Sequence, residues 1–80
     1  MGAGLSEKAL EQFRAAIVLD PEQYEAWFNL GVAADGLGLR DEAILAYQGF
    51  LERAPVDLQQ PITRARTRIQ ALSSNAGQTQ

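Results

Sequence analysis

Two pairs of carboxylates are the side chains of this sequence whose types and spacing could support catalysis. Asp41 and Glu42 are adjacent, and Glu22 and Glu25 lie three residues apart. Two neighbouring carboxyl groups can act as general acid and general base. The sequence has no histidine, however, and so lacks the commonest general base and metal ligand. All four carboxylates fall at the starts or on the polar faces of predicted helices, where capping and the helix dipole account for them. We therefore predict a non-catalytic protein without a metal or other cofactor.

The basic side chains are unevenly distributed along the chain. Residues 1–57 contain all ten acids and four of the seven bases, whereas residues 58–80 contain Arg64, Arg66 and Arg68 and no acid. Arg64 and Arg68 share one face of a predicted helix. Two interpretations are open for them: a solvated outer face, or contact with an anionic partner such as an acidic segment of a neighbouring copy. The acidic body and the net charge of −3 argue against nucleic-acid binding, which needs a basic face.

No segment of the sequence predicts membrane insertion or secretion. No run approaches the roughly 18 apolar residues of a membrane-spanning helix. The start, Met1-Gly2-Ala3-Gly4, lacks the charged beginning and apolar centre of a signal peptide, so we interpret residues 1–4 as a leader. The sequence alone indicates no compartment.

Apolar residues at helical spacing predict four helices and an all-α fold. Ser6 is the predicted N-cap of the first helix. Asp20 and Pro21 are predicted to end that helix and to start the second, with Gln23 as a further capping residue. The second helix should reach about Asp35, and it is apolar over more than half of its circumference, so that it must be covered on two sides. The apolar positions of the first helix are Leu5, Ala9, Leu10, Phe13, Ala16, Ile17 and Leu19.

Glycines mark the turn into the third predicted helix. Gly36 and Gly38 are both free to adopt positive φ in this turn, and the third helix is expected to start near Arg40. Gly49 lies inside that helix at a cost of about 1 kcal/mol relative to alanine. We expect Gly49 to be tolerated there rather than required by a close neighbour. Pro55 ends the helix.

A narrow apolar stripe predicts the fourth helix. Asp57 or Gln60 is the expected N-cap, with Pro61 in the first turn. The chain is polar from Ser73 onwards, and residues 75–80 are expected to be disordered. The stripe consists of Leu58, Ile62, Ala65, Ile69 and Leu72.

A repeat of 34 residues relates the first half of the chain to the second. Four of five pairs that a shift of 34 superposes keep their chemical type: Ala9 on Ala43, Leu10 on Ile44, Phe13 on Tyr47 and Pro21 on Pro55. The fifth pair, Leu19 on Arg53, does not. Small residues at such positions let two antiparallel helices approach, and aromatic rings fill the gaps beside them. The residues Trp27, Leu30, Gly31, Ala43, Tyr47 and Pro55 have the types and spacing of the tetratricopeptide repeat motif. The sequence thus resembles the tetratricopeptide repeat family over residues 5–57, with Ala34 and Phe50 departing from its usual pattern.

The resemblance implies an α-solenoid fragment of antiparallel helix-turn-helix units, about one and a half repeats followed by a capping helix. Residues 5–20 would be the second helix of a truncated repeat, and residues 21–55 a complete helical hairpin. Residues 56–74 would be a closing, solvating helix. At the positions where Trp27, Leu30 and Gly31 would recur stand Pro61, Arg64 and Ala65, so that the fourth helix does not carry the motif.

The resemblance also implies the function of a protein-interaction scaffold. Similar repeats bind an extended peptide or a partner helix on the concave face that is lined by the first helix of each repeat. An asparagine at the position of Asn29 hydrogen-bonds the peptide backbone in such repeats, although Asn29 could equally be a polar surface residue. Carried onto this sequence, the concave-face positions are Glu25, Phe28, Asn29, Val32 and Asp35.

Two alternatives to peptide binding are open. Apolar surface on the first helix could be covered by a second copy, giving a homodimer or an oligomer with exchanged helices. The chain could also be the terminal piece of a longer repeat protein. The identity of a protein partner does not follow from the sequence.

Overall fold

Four α-helices in the order expected from the sequence make up the fold. The computed structural model describes the backbone of residues 2–77 and the side chains of residues 6–74. The helices are α1 (Gly2–Leu19), α2 (Tyr24–Gly36), α3 (Arg40–Arg53) and α4 (Gln59–Gly77). Each helix packs against the next along the chain. Short connections therefore fold consecutive helices back on one another as antiparallel neighbours, and no strand occurs within residues 2–77.

The boundary between α1 and α2 differs from the prediction. α1 begins at Gly2 rather than after Ser6, since no proline interrupts the helix before that serine. α2 begins at Tyr24 rather than at Pro21. Pro21 lies in a turn, where the Glu22 amide donates to Oδ1 of Asp20 at 3.3 Å. The Pro21 carbonyl also accepts a 2.7 Å hydrogen bond from Nε1 of Trp27, so this carbonyl is held as a side-chain acceptor outside the helix.

The ends of the other helices also show differences. Gly36 is the last residue of α2, and only Gly38 takes a positive φ, of 78°. α3 starts at Arg40 as predicted. Leu58 immediately precedes α4, rather than Asp57 or Gln60, and its carbonyl accepts the Ile62 amide at 3.1 Å.

α4 continues further than the polar composition of its end suggested. The helix runs to Gly77, past the point at which disorder was expected, because helical backbone bonds do not depend on apolar side chains once Leu72 anchors the preceding turns. Residues 78–80, also expected to be disordered, lie outside the described residues.

Small side chains let α2, α3 and α4 pack closely in the core. Ala34, Ala43 and Ala65 are 0% exposed. Tyr47 and Phe50 pack among these alanines, and each of the two is 2% exposed. Burial of two large rings among three alanines joins three helices into one core. α4 takes part through its own small residue, Ala65, although it lacks the repeat motif.

Two glycines bring aromatic rings onto the backbone of the facing helix. A Cβ on Gly31 of α2 would lie 2.7 Å from Cδ1 of Tyr47 in α3. A Cβ on Gly49 of α3 would lie 2.6 Å from Cδ2 of Trp27 in α2. The expectation that Gly49 is merely tolerated was therefore wrong: a side chain at this position would overlap the indole ring.

The apolar stripe of α1 is only partly buried. Leu10 is 5% exposed, and Phe13 and Ile17 pack against the core. Leu19, which was assigned to the same stripe, is 85% exposed at the end of the helix, and Val18 beside it is 80% exposed. The side chain of Leu5 lies outside the described ones.

Candidate functional site

A groove runs between α2 and α4, with α3 beneath it. It consists of three cavities of about 530, 380 and 330 Å³. Phe28 and Pro61 line both the first and the second cavity, and Arg64 lines both the second and the third. Because of these shared walls, we treat the three cavities as one feature, the α2–α4 groove. The largest cavity is lined by Tyr24, Glu25, Phe28, Asn29, Phe50, Leu58 and Pro61.

All the residues that the sequence placed on a concave face line this groove. Glu25, Phe28 and Asn29 line its largest cavity, and Val32 and Asp35 line the third. Their spacing along α2 places them on one side of the helix, since residues three and four apart are neighbours on a helical surface. This side of α2 faces α4.

Aromatic rings form the floor of the largest cavity. The ring centroid of Phe28 lies 5.0 Å from that of Phe50 and 6.0 Å from that of Tyr47, in tilted and edge-on arrangements. Tyr24 lies 6.2 Å from Phe50. The Phe50 ring is buried, whereas Phe28 is only partly covered. The floor therefore offers an apolar, rigid surface to a side chain that enters from solvent.

A bidentate ion pair closes the far end of the groove. Nε and Nη2 of Arg68 donate to Oδ2 and Oδ1 of Asp35 at 2.7 and 2.9 Å, and the Tyr47 hydroxyl donates to Oδ2 at 3.1 Å. The Asp35 side chain is only 16% exposed. Asp35 is thus held by two residues of the same chain, and Arg68 lies against α2 rather than on a solvated outer face.

These contacts account for the altered acidity at this end of the groove. The hydrogen bond from Arg68 lowers the pKa of the Asp35 carboxyl, although burial acts in the opposite direction, and the Tyr47 hydroxyl adds to the lowering. Burial, together with the Asp35 charge, raises the pKa of Tyr47 to about 12. The network therefore widens the pH range over which Asp35 is ionised and Tyr47 is neutral.

A comparison with protein-family models matches residues 1–57 to a model described as "Tetratricopeptide repeat". The chain belongs to the tetratricopeptide repeat family. Neither a search of curated proteins nor a search of solved structures gives a match. Tetratricopeptide domains are generally non-catalytic scaffolds that mediate protein–protein interaction. Within the described residues, no helix combines the length and apolar character needed to cross a membrane.

The tetratricopeptide motif residues lie mainly behind the groove rather than in it. Trp27 packs on Gly49, and the Arg53 guanidinium lies 4.4 Å above its ring, a cation–π contact. Leu30 and Ala43 are buried in the core, and Ala9 and Phe13 are partly buried, whereas the two turn prolines, Pro21 and Pro55, are exposed. One face of α2 therefore builds the hairpin and the other lines the groove.

One of the carboxylates considered for catalysis has a structural partner. Glu42 in α3 accepts hydrogen bonds from Nε and Nη2 of Arg14 in α1 at 2.7 and 2.5 Å. This contact lowers the pKa of Glu42. Glu22 and Asp41 are exposed. The geometry thus links the tetratricopeptide helices α1 and α3 through Glu42.

On the α4 side of the groove, the sequence marked only Arg64 and Arg68, as possible contacts for an anionic partner. It assigned Leu58, Gln60 and Pro61 to no site. Leu58 and Pro61 form the wall opposite α2, and Gln60 lines the second cavity. The stripe of α4 predicted which residues face the core, but the residues beside a stripe are not marked by any periodicity. The pairing of Asp35 with Arg68 spans 33 residues and has no local signal.

Proposed function

We propose that this tetratricopeptide chain is a non-catalytic interaction module that binds an extended peptide segment of another protein in the α2–α4 groove. The observation that carries the proposal is the cavity of about 530 Å³ with an aromatic floor, which opens next to Glu25 and Asn29. A pocket that is mostly apolar and carries a few polar groups at its edge is the usual form of a binding site.

An extended segment fits this groove better than a helix does. Direct contact between Arg68 and Asp35 bridges α2 and α4 at one end of the groove. A helix has a diameter of about 10–12 Å with its side chains and so needs more room beside these bridged walls than an extended chain does. An extended chain is thinner and leaves backbone amide and carbonyl groups unpaired. Asn29 is exposed beside the largest cavity, where its side-chain amide can donate to and accept from such a backbone.

The same proposal divides the chain into repeat units. Residues 5–20 are the second helix of one repeat, residues 21–55 a complete repeat, and residues 56–74 a closing helix. The exposed polar side chains of α4 support a closing role, because a terminal helix must present a polar outer face to solvent. These side chains are Gln59, Gln60, Thr63, Arg64, Arg66, Thr67, Gln70, Ser73 and Ser74.

Selection from a random decapeptide display library tests the proposed site. Peptides retained by the chain should lose binding to Phe28→Ala and Asn29→Ala variants in fluorescence polarisation. Binding should be unchanged for Leu45→Ala, which alters an exposed side chain that does not line the groove. Selected peptides that bind all three variants equally would contradict the assignment of the groove.

Self-association is a second candidate function, and one observation favours it. Val18 and Leu45 are 80% and 65% exposed and flank an apolar cavity of about 310 Å³ behind the groove, which Ile17, Trp27 and Leu30 also line. A second copy could cover these side chains through a two-fold contact.

Light scattering after gel filtration, at low and high protein concentration and at two salt concentrations, separates the two candidates. A monomer at all concentrations would reject self-association. A dimer that dissociates in the variant Val18→Ser/Leu45→Ser would support it, because the substitutions leave the groove intact.

A further inference from the structure

We propose that the α2–α4 groove selects an extended peptide that carries opposite charges on the two sides of an apolar anchor. A basic residue would lie at Glu25 and an acidic residue at Arg64, with the anchor in the aromatic cavity between them. This inference rests on the proposed function and adds to it the chemical class of the ligand.

Four charged side chains line the groove, and two of them are not paired with each other. Glu25, Asp35, Arg64 and Arg68 are its charged side chains. Asp35 and Arg68 neutralise each other through two hydrogen bonds. Glu25 and Arg64 are both exposed, and among the described residues neither makes an ion pair. One negative and one positive group thus remain for a ligand.

The two free charges lie on opposite sides of the apolar cavity. α2 and α4 run in the same direction, because Phe28 meets Pro61 near the start of each helix and Asp35 meets Arg68 further along. Glu25 precedes Phe28 by three residues, and Arg64 follows Pro61 by three. At 1.5 Å per residue, these offsets separate the two charged positions by about 9 Å along the groove.

This separation is about 4 Å shorter than the span of three alternate residues of an extended chain. Residues i, i+2 and i+4 of a strand point to the same side and span about 13 Å at 3.3 Å per residue. The long side chains of Arg64 and of a peptide lysine or arginine can cover the remaining difference. The expected pattern is therefore basic-x-apolar-x-acidic. The reversed order is equivalent, because the two charges do not determine the direction in which the peptide runs.

Four labelled peptides of the form Gly-Gly-X-Ser-Phe-Ser-Z-Gly-Gly, with both ends blocked, test the inference. The residues at X and Z are Lys and Glu in the first peptide and Lys at both positions in the second. They are Glu at both positions in the third and Ser at both positions in the fourth. Each peptide charge that lies opposite a groove charge of opposite sign should tighten binding about threefold relative to the Ser/Ser peptide, as expected for an exposed ion pair. The Lys/Glu peptide has two such charges, and its advantage over Ser/Ser should shrink at high salt.

Charge reversal in the protein should change the preferred peptide. Glu25→Lys leaves two positive groups in the groove and should favour the Glu/Glu peptide, whereas Arg64→Glu should favour the Lys/Lys peptide. The matched controls are Glu11→Lys and Arg66→Glu, which change the net charge equally at exposed positions that do not line the groove. These controls should keep the preference for Lys/Glu.

Each outcome decides the inference. Equal binding of all four peptides, or the same preference in the groove variants and their controls, overturns charge selection while leaving peptide binding in place. Failure of every peptide to bind overturns the inference. If the library selection also gives no Phe28-dependent binder, the proposed function is overturned with it.

Discussion

The backbone of Gly49 in α3 lies against the indole ring of Trp27 in α2, at a distance that leaves no room for a Cβ. Gly31 in α2 has the same relationship to the Tyr47 ring in α3. Each helix of the hairpin thus contributes one glycine and one ring, and each ring covers the glycine of the other helix. This reciprocal contact determines how closely α2 and α3 approach.

Gly49→Ala should destabilise the protein by about 1–3 kcal/mol, because overlap with the Trp27 ring outweighs the gain of about 1 kcal/mol in helix propensity. Gly36→Ala is the matched control, since nothing lies within 4 Å of a Cβ at Gly36 and its φ is not positive. The control should be neutral or stabilising by up to about 1 kcal/mol. Thermal unfolding followed by circular dichroism measures both. Equal melting temperatures for the two variants would refute the close contact.

Ala43→Leu should also cost about 1–3 kcal/mol, because Ala43 is 0% exposed where α2 and α3 meet. Ala15→Leu makes the same change at an exposed position of α1 and should have little effect. Urea unfolding gives the free energies of both variants. If Ala43→Leu is as stable as Ala15→Leu, the hairpin does not need a small residue at this position.

The sequence predicted the features of this fold that repeat along the chain. The spacing of Ala43 and Tyr47 after Trp27 indicated the hairpin, and the stripe containing Ile62 and Ala65 indicated α4. Contacts between residues that are distant in the sequence were not predicted. The closeness of Gly49 to Trp27 is a property of two packed helices, and a glycine in a helical segment looks the same whether or not a ring covers it.

The candidate site divides in the same way. Its α2 side was expected, because the resemblance to tetratricopeptide repeats implied that Phe28 and Asn29 lie on the concave face. On its α4 side the sequence marked Arg64 as a possible contact for an anionic partner, whereas Pro61, which stands where the motif is absent, was assigned to no site. Asp35 was assigned to a ligand, and only the structure reveals that Arg68 is its neighbour.

Asp35→Asn should destabilise the protein by about 1 kcal/mol at pH 7, a modest value because the Arg68 side chain is 40% exposed. Hydrogen bonding from Arg68 lowers the pKa of Asp35 in the folded state. The stabilisation is therefore present above the unfolded-state pKa of about 3.9 and is lost as the pH falls through the folded-state value.

Urea unfolding at pH 7, 5 and 3 measures this dependence. The difference in unfolding free energy between the parent chain and Asp35→Asn should disappear at low pH. Asp57→Asn, at an exposed position, should have the same unfolding free energy as the parent chain at every pH. A gap that is constant from pH 7 to pH 3 would mean that the Asp35 charge contributes nothing to stability.

The parent chain should lose stability at alkaline pH, and Tyr47→Phe should abolish this loss. Burial raises the pKa of Tyr47 to about 12, so its folded environment favours the neutral phenol. That stabilisation is complete below the unfolded-state pKa of about 10 and disappears as the pH rises towards 12, with a total of about 2–3 kcal/mol. Denaturant unfolding between pH 8 and 12 should show a flatter profile for Tyr47→Phe than for the control Tyr24→Phe. Identical profiles would contradict the role of burial.

The position of Trp27 has a consequence for spectroscopy. It is the one tryptophan of the chain, and it lies between Gly49 and the Arg53 guanidinium, on the side of α2 that does not line the groove. Its fluorescence therefore reports whether α2 and α3 remain packed against each other. A ligand that fills the aromatic cavity without disturbing the hairpin would leave the emission spectrum unchanged, whereas separation of the two helices would shift it to longer wavelength.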